Sequence, residues 1–342
     1  MFLPVAAVFV ITVTLTPLIA AWARRRDLLD VPNHRSSHVV ATPRTGGAAF
    51  VPAALLGVAI LHVTGVIGTN VLIVVGAALA VGVVGFIDDL RSLPAAGRLL
   101  FQLIVALLLV RTVGFPALPF DLHGAIAAGL TVIWIAALTN AYNFMDGIDG
   151  IAGAHAVVAG IGWALIGVLT GSQQATAMGL VVAAAAGGFL VYNWQPARVF
   201  MGDAGSAFLG FLFGTLPLVV SVEPGEQPMV SAWLLAWPFL FDTAFTLMRR
   251  VRRRENVLLA HRSHLYQRLT ATGLPHWRVS LLYAALSAIG GAAAIALAAG
   301  QSVLALISGI AVLASALGLW RYVVAREALR RPPSHPTESA AL

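Results

Sequence analysis

The sequence predicts an all-α polytopic membrane protein of about eleven transmembrane helices in a single membrane domain, and three observations carry that prediction. Hydrophobic residues make up 59% of the 342 and charged residues only 10%, with mean hydropathy +0.88. A soluble domain carries about 25% charged residues, so this surface cannot all face water. Apolar runs follow one another from Phe2 to the region of Trp320, each close to the roughly 20 residues that cross a bilayer. The third observation is where the arginines fall.

In chain order the runs are 2–23, 47–66, 71–87, 99–115, 124–140, 151–170, 176–193, 205–222, 230–248, 279–299 and 301–323. The first could be taken for a signal peptide, because Ala21-Trp22-Ala23 resembles a cleavage site. No positive residue precedes it, however, the run is longer than a usual h-region and three arginines follow, so a retained helix is expected. With the N-terminus outside, segments 24–46, 88–98, 141–150, 194–204, 249–278 and 324–342 lie in the cytoplasm. Those segments and the adjoining helix ends then hold every arginine except Arg111, as the positive-inside rule requires. A missed or added helix would scatter them to both sides. The outer connections are short. Residues 1–329 form the one membrane domain, and the Pro- and Ser-rich tail 330–342 is expected to be disordered.

Composition also excludes chemistry. There is no cysteine, hence no disulfide, thiolate nucleophile or iron–sulfur ligand. All 21 basic residues are arginine, which rules out a Walker A loop, whose lysine is obligatory. The net charge of +7 marks cytoplasmic loops and anionic membrane lipids, and no nucleic acid is expected.

All carboxylates but Asp242 lie outside the spans or at their edges, most beside Gly and Asn. Asp88-Asp89 close span 3. Acids at a helix C-terminus oppose its dipole, and adjacent helical residues point about 100° apart, so one of the pair can face a substrate while the other faces Arg or a metal. In Asn140-Ala-Tyr-Asn143-Phe-Met-Asp146-Gly-Ile-Asp149-Gly150, polar residues recur every three positions and share a helix surface. Two amides and two carboxylates there suit a cation, a phosphate held through a cation, or a nucleotide. Asn193-Trp-Gln-Pro-Ala-Arg198-Val-Phe200-Met-Gly202-Asp203-Ala-Gly-Ser206 leads into span 8. Asp203 is either a plain N-cap or part of an anion or metal–phosphate site at a helix N-terminus.

The loop 249–278 splits in two. Arg249-Arg250-Val-Arg252-Arg253-Arg254 reads as topology signal and lipid contact. His261-Arg262-Ser263-His264 has the spacing of half a zinc site, but no third ligand of that type is near, and phosphate or sugar binding fits it better. Loop 27–47, with Asp27, Asp30, Asn33, His34, Arg35, His38 and Arg44, is a polar lead-in to span 2. Asp242, inside span 9, costs about 2.5–3.5 kcal/mol on insertion scales, so it has a partner in the bundle or a function. His62, His123, His155, His276 and His335 have no such surroundings.

Taken together, Asp-Asp after span 3, Asn-Ala-Tyr-Asn-Phe-Met-Asp-Gly-Ile-Asp-Gly and Phe-Met-Gly-Asp-Ala-Gly-Ser resemble the polyprenyl-phosphate N-acetylhexosamine-1-phosphate transferases. The likeness runs in order over about residues 24 to 270. It implies an eleven-helix enzyme of the bacterial inner membrane, its active site on the cytoplasmic face. Such an enzyme moves a HexNAc 1-phosphate from a UDP-sugar (UDP-HexNAc) to undecaprenyl phosphate, releases UMP and uses Mg2+, for which Mn2+ can substitute. The resemblance makes Asp203 the principal metal ligand and Asn143 the second. Asp88 and Asp89 become the acidic pair that engages or deprotonates the lipid phosphate, and Asp149 and Phe200 the uracil contacts, with Phe200 stacking. Arg44, Asn140, Asp146, Asn193, His261, Arg262 and His264 complete the substrate-binding set. Where relatives carry several histidines in the last large loop, His264-Leu-Tyr-Gln267 keeps one, with His261-Arg262 upstream. That form is closest to the branch that initiates O-antigen synthesis in lipopolysaccharide, and it leaves the sugar open. A homodimer is admitted. The alternatives are a secondary transporter, which should show acids at the bilayer midplane, and a different lipid phosphotransferase.

Overall fold

A computed structural model describes residues 1–32, 40–116, 118, 122–220, 227–256, 259 and 261–329. The polar positions Asn33, His34, Arg35 and His38 and the tail 330–342 lie outside the described residues. Apart from one two-stranded antiparallel pairing, β1 (Leu29–Asp30) with β2 (Thr42–Pro43), the architecture is helical.

The helices are α1 (Phe2–Arg25), α2 (Gly47–Val63), α3 (Thr69–Arg91), α4 (Ala95–Val113), α5 (Gly124–Met145), α6 (Ile151–Leu169) and α7 (Gln173–Asn193). They continue as α8 (Gly202–Thr215), α9 (Pro228–Arg252), α10 (Leu265–Ala271), α11 (His276–Ala298) and α12 (Ser302–Ala328). Every predicted span contains a helix among the described residues. Among the described residues nine helices are long and apolar enough to cross a membrane; α2, with 17 residues, is shorter.

The departure is at the eighth span. α8 has 14 residues, and at 1.5 Å per residue it rises about 21 Å, short of the roughly 30 Å hydrocarbon core. A 3-10 turn, Leu216–Leu218, extends it. Every residue from Ala204 to Thr215 is buried, because α2, α3 and α5 surround it. A helix walled in by protein need not match the lipid thickness. At the other extreme α12 buries only Val312, Leu319 and Val323 and turns the rest of its apolar surface outward, as a lipid-facing helix does.

α10 was not visible as a run of apolar residues. It is fixed by one buried carboxylate: Asp242 of α9 accepts the backbone N–H groups of Leu265 (2.7 Å) and Tyr266 (3.1 Å) and the Tyr283 hydroxyl (2.6 Å), and pairs with His264 Nδ1 (3.2 Å). The intramembrane acid therefore has partners and anchors α10 by its otherwise unpaired first amides. Arg268 ties the same helix to α12 through two 2.7 Å bonds to Glu327.

Candidate active site

The site forms where the C-terminal ends of α3 and α5 meet the N-terminal end of α8. α3 and α8 touch backbone to backbone: a Cβ on Gly85 would stand 2.3 Å from the Asp203 carbonyl oxygen, so a side chain at position 85 would hold Asp203 away from the α3 acids. Gly202 starts α8 at φ +75°, where an L side chain is strained, and a Cβ there would lie 2.7 Å from Asp89 Oδ2.

The two adjacent acids diverge, as their 100° separation requires. Asp89 is an N-cap supplied from another helix: its carboxylate accepts the amides of Asp203 (3.0 Å) and Ala204 (3.1 Å). Arg44 flanks it, donating to the Asp89 carbonyl at 2.9 Å with Nε 3.6 Å from the carboxylate. Asp88 is buried and pairs with Arg98 of α4 and with the Leu93 amide. The same Arg98 nitrogen, Nη1, lies 2.9 Å from Asp203 Oδ2.

Asp203 is the hub. Its other oxygen accepts from Asn143 Nδ2 at 2.8 Å, and Asn143 also reaches Ser206 Oγ at 3.0 Å. Asn140, one turn earlier on the same face, bonds Gln102 at 2.6 Å. Asp146, just past α5, is half-buried. Burial first, and then the charges of Asp203 and Asp89, push its carboxyl pKa well above the usual range. Among the described residues, no cluster of three His, Cys, Asp or Glu could by itself hold a metal ion. Mg2+ needs no such cage; it is commonly held by one or two carboxylates, water and substrate phosphates. Asp203 offers one such carboxylate, with the Asn143 side chain 2.8 Å from it, so the chemistry of the donor set fits one.

The loop 194–201 is pinned beside this hub. Phe200 donates its amide to the Pro43 carbonyl (2.7 Å) and accepts from Gly46 (2.9 Å), so the polar lead-in and the loop run together. Asn193 is a buried strut, accepting from Gly150 N at 3.1 Å and donating to the Val199 carbonyl at 3.0 Å. Asp149 Oδ2 accepts the Ala197 amide at 3.1 Å and Oδ1 lies 3.1 Å from His276 Nδ1. A carboxylate has about four lone-pair sites, so it can still accept a further donor.

α10 brings the last group in. Tyr266 donates to the Phe144 carbonyl at 3.0 Å and the His264 ring lies 6.1 Å from that of Phe144. His264 is buried against Asp242, and the His261 ring lies 5.0 Å from the His264 ring, tilted by 33°. Burial and the nearby His264, Arg250 and Arg249 push the His261 pKa down to about 4, so that ring is neutral near pH 7. Arg262 is exposed at the rim.

Thus the substrate- and metal-site residues that the sequence singles out, among the described residues, lie at one end of the bundle. Two were missed. In the sequence Arg98 reads only as a topology signal; its distance of ten positions from Asp88, across a break that contains Pro94, is the available clue. His276 had been given no role, and nothing local to it signals the partner 127 residues away.

The model of glycosyl transferase family 4 matches residues 71–221. A Bacillus subtilis (strain 168) protein named "probable undecaprenyl-phosphate N-acetylglucosaminyl 1-phosphate transferase" is 34% identical, over 78% of this chain and 76% of its own length. A phospho-N-acetylmuramoyl-pentapeptide-transferase of Desulforudis audaxviator (strain MP104C) is 30% identical over 82% and 95%. A decaprenyl-phosphate N-acetylglucosaminephosphotransferase of Mycolicibacterium smegmatis is 29% identical over 84% and 80%.

Proposed function

The chain belongs to glycosyl transferase family 4, and from that premise we propose that it transfers a HexNAc 1-phosphate from a UDP-sugar to undecaprenyl phosphate. The products are undecaprenyl-diphosphate-HexNAc and UMP. The observation that carries the reading is Asp203 at the N-terminus of α8, bonded to Asn143 and ringed by Asp88, Asp89 and Asp146 at the end of a bundle of apolar helices.

In the reaction an oxygen of the lipid phosphate attacks the phosphorus that bears the sugar. A new P–O–P bond forms while the bond to the UMP oxygen breaks. Asp203 and Asn143 would hold Mg2+ or Mn2+, which supplies charge to screen the two phosphates and polarise the one attacked. Positioning and charge stabilisation do most of the work in phosphoryl transfer, and this chain's residues divide that task. Phe200 offers a ring for the uracil and Asp149 an acceptor for its N3–H. Asn193, His276 and the Ala197 amide hold those two in place. Asp88 faces the acceptor phosphate as positioning group or base, while Asp89 fixes the N-terminus of α8. His261, Arg262 and His264 lie toward the sugar and its phosphate.

An active site on the cytoplasmic face suits both substrates, since the nucleotide arrives from the cytosol and the lipid phosphate at headgroup depth. The reduced histidine motif favours a role in starting a surface glycan of the O-antigen kind. Asp242, wholly engaged by α10 and Tyr283, offers no ion path to a transporter.

The test uses purified full-length chain, undecaprenyl phosphate and a panel of UDP-HexNAc sugars, following lipid-linked product and UMP. One sugar should give product; EDTA should stop turnover and Mg2+ or Mn2+ restore it. Asp203→Asn should fold and lose activity by orders of magnitude. Full turnover in chelator would refute the metal, and no product from any UDP-HexNAc would refute the reaction.

A further inference from the structure

We infer that Arg98 is the counter-ion of Asp88 and of the metal-binding Asp203, and that a divalent cation held on Asp203 would displace the guanidinium. This rests on the metal-dependent reading above and adds to it a positioning residue that is displaced rather than permanent.

Four carboxylates crowd this end of the bundle. Arg44 is committed to Asp89 by its bond to the Asp89 carbonyl and the nearby carboxylate. Asp88 and Asp203 are left to Arg98, and a single nitrogen, Nη1, serves both. Asp203 Oδ2 is therefore occupied by a cationic group at the position where a metal ligand must present its oxygen.

How Arg98 is held argues that it can leave. A guanidinium built to stay uses its fork, two parallel bonds to one carboxylate. Arg268 does so toward Glu327, through Nε and Nη2, each at 2.7 Å. Arg98 grips by one tip, and its Nε is buried with no hydrogen-bond partner. Its side chain is 28% exposed, and the adjoining pocket is lined by Gln102, Asn140 and Asn143, polar neighbours for a charge that moves aside. Such a tie keeps the acids from repelling one another before the cation arrives, without locking Asp203.

The alternative is a fixed strut joining α3, α4 and α8. The two differ in what removal of the charge does to metal binding. For a strut, Asp203 loses its alignment and the cation binds more weakly. For a displaced counter-ion, the cation no longer competes and binds more tightly.

Mn2+ binding to purified full-length chain in detergent, read from the loss of the free-ion electron paramagnetic resonance signal, separates them. Arg98→Gln should bind Mn2+ about tenfold more tightly, the order expected for losing one close like charge in partly exposed surroundings. Arg98→Lys keeps the charge and should stay within about threefold of wild type by the same reasoning. Asp203→Asn should abolish the site. Wild-type binding with an unchanged or weaker constant in Arg98→Gln overturns the inference and leaves the metal-dependent reading standing. Mn2+ bound by neither protein overturns that reading and the inference with it. Should the Gln variant aggregate, wild-type chain serves alone. Mn2+ should speed modification of Arg98 by phenylglyoxal severalfold, read by peptide mass mapping. No change, or protection, overturns the inference.

Discussion

Asp88 and Asp89 are chemically the same residue, and the fold gives them unlike work. Asp89 spends its carboxylate on two α8 amides, whereas Asp88 pairs with Arg98, which also holds the Asp203 side chain. Phe200 sits on a loop fixed from the other side, by Pro43, Gly46 and, through Ala197, Asp149. The acceptor and nucleotide parts of the site should therefore separate under mutation. Phe200→Ala should weaken UMP binding roughly 10- to 100-fold, since a base loses about 1–3 kcal/mol with its aromatic stacking partner. Asp88→Asn should leave UMP affinity within a factor of about two while turnover falls more than about tenfold, because its partners Arg98 and the Leu93 amide lie outside the loop that carries Phe200. Calorimetry with UMP beside turnover measures both; equal loss of UMP affinity in the two variants would show one merged site. Asp203, Asn143 and the Asp88–Asp89 pair could be picked out of the sequence because each sits in a short run of Asn, Asp and Gly. Arg98 and His276 could not, because an ion pair across 105 residues or a hydrogen bond across 127 leaves no local trace.

Among the elements, the contact of α3 with α8 decides whether the hub exists. All eleven apolar runs could be read as helices, since length and hydropathy suffice for that, but their ends could not. α3 runs through Asp88 and Asp89 to Arg91, and α4 already includes Arg98, because a helix does not stop where its residues stop being apolar. Nor could the sequence show that α8 is short and central, which follows from what surrounds it. α10 escaped because its order comes from Asp242 on α9, not from its own seven residues. Gly85→Ala tests the α3–α8 contact against local preference. Alanine favours helix over glycine by about 1 kcal/mol, so propensity alone predicts a more stable α3. The new Cβ would stand 2.3 Å from a backbone oxygen, closer than any shift of a side-chain tip can relieve. We expect a lower melting temperature and turnover reduced at least about tenfold, as misplacement of catalytic groups by a fraction of an ångström is costly. A variant as stable and as active as wild type would mean α8 can retreat without disturbing Asp203. Asp242→Asn tests α10 in the same way. An amide oxygen cannot serve all the donors that the carboxylate accepts, and each buried donor left unpaired costs about 1–3 kcal/mol; thermal denaturation in detergent should register it, and an unchanged midpoint would count against the anchor.

For the whole molecule, the chain's turns place α1, α3, α5, α7, α9 and α12 with their C-terminal ends on the side of the site, and α2, α4, α6, α8 and α11 with their N-terminal ends there. Cross-links at that end agree: Arg24 donates to the Arg198 carbonyl, and Arg268 pairs with Glu327. Among the described residues, Arg111 is the arginine that stands at the far end, in the last turn of α4. Positive charge is retained in the cytoplasm during insertion, so this end should face inward. The native chain has no cysteine, which makes single substitutions clean reporters. Ala96→Cys, Arg198→Cys and Glu255→Cys, at exposed positions on the site's side, should resist an impermeant maleimide in intact cells and react once the membrane is opened. Asn70→Cys, Gln173→Cys and Gln301→Cys, exposed at the opposite end, should react in intact cells. The pattern discriminates because both sets are exposed positions at or beside the ends of apolar helices, and they differ in side. Labelling of Ala96→Cys or Arg198→Cys in intact cells would put Asp88 and Asp203 on the outer face, away from a cytosolic nucleotide, and the proposed reaction could not then draw on UDP-sugar.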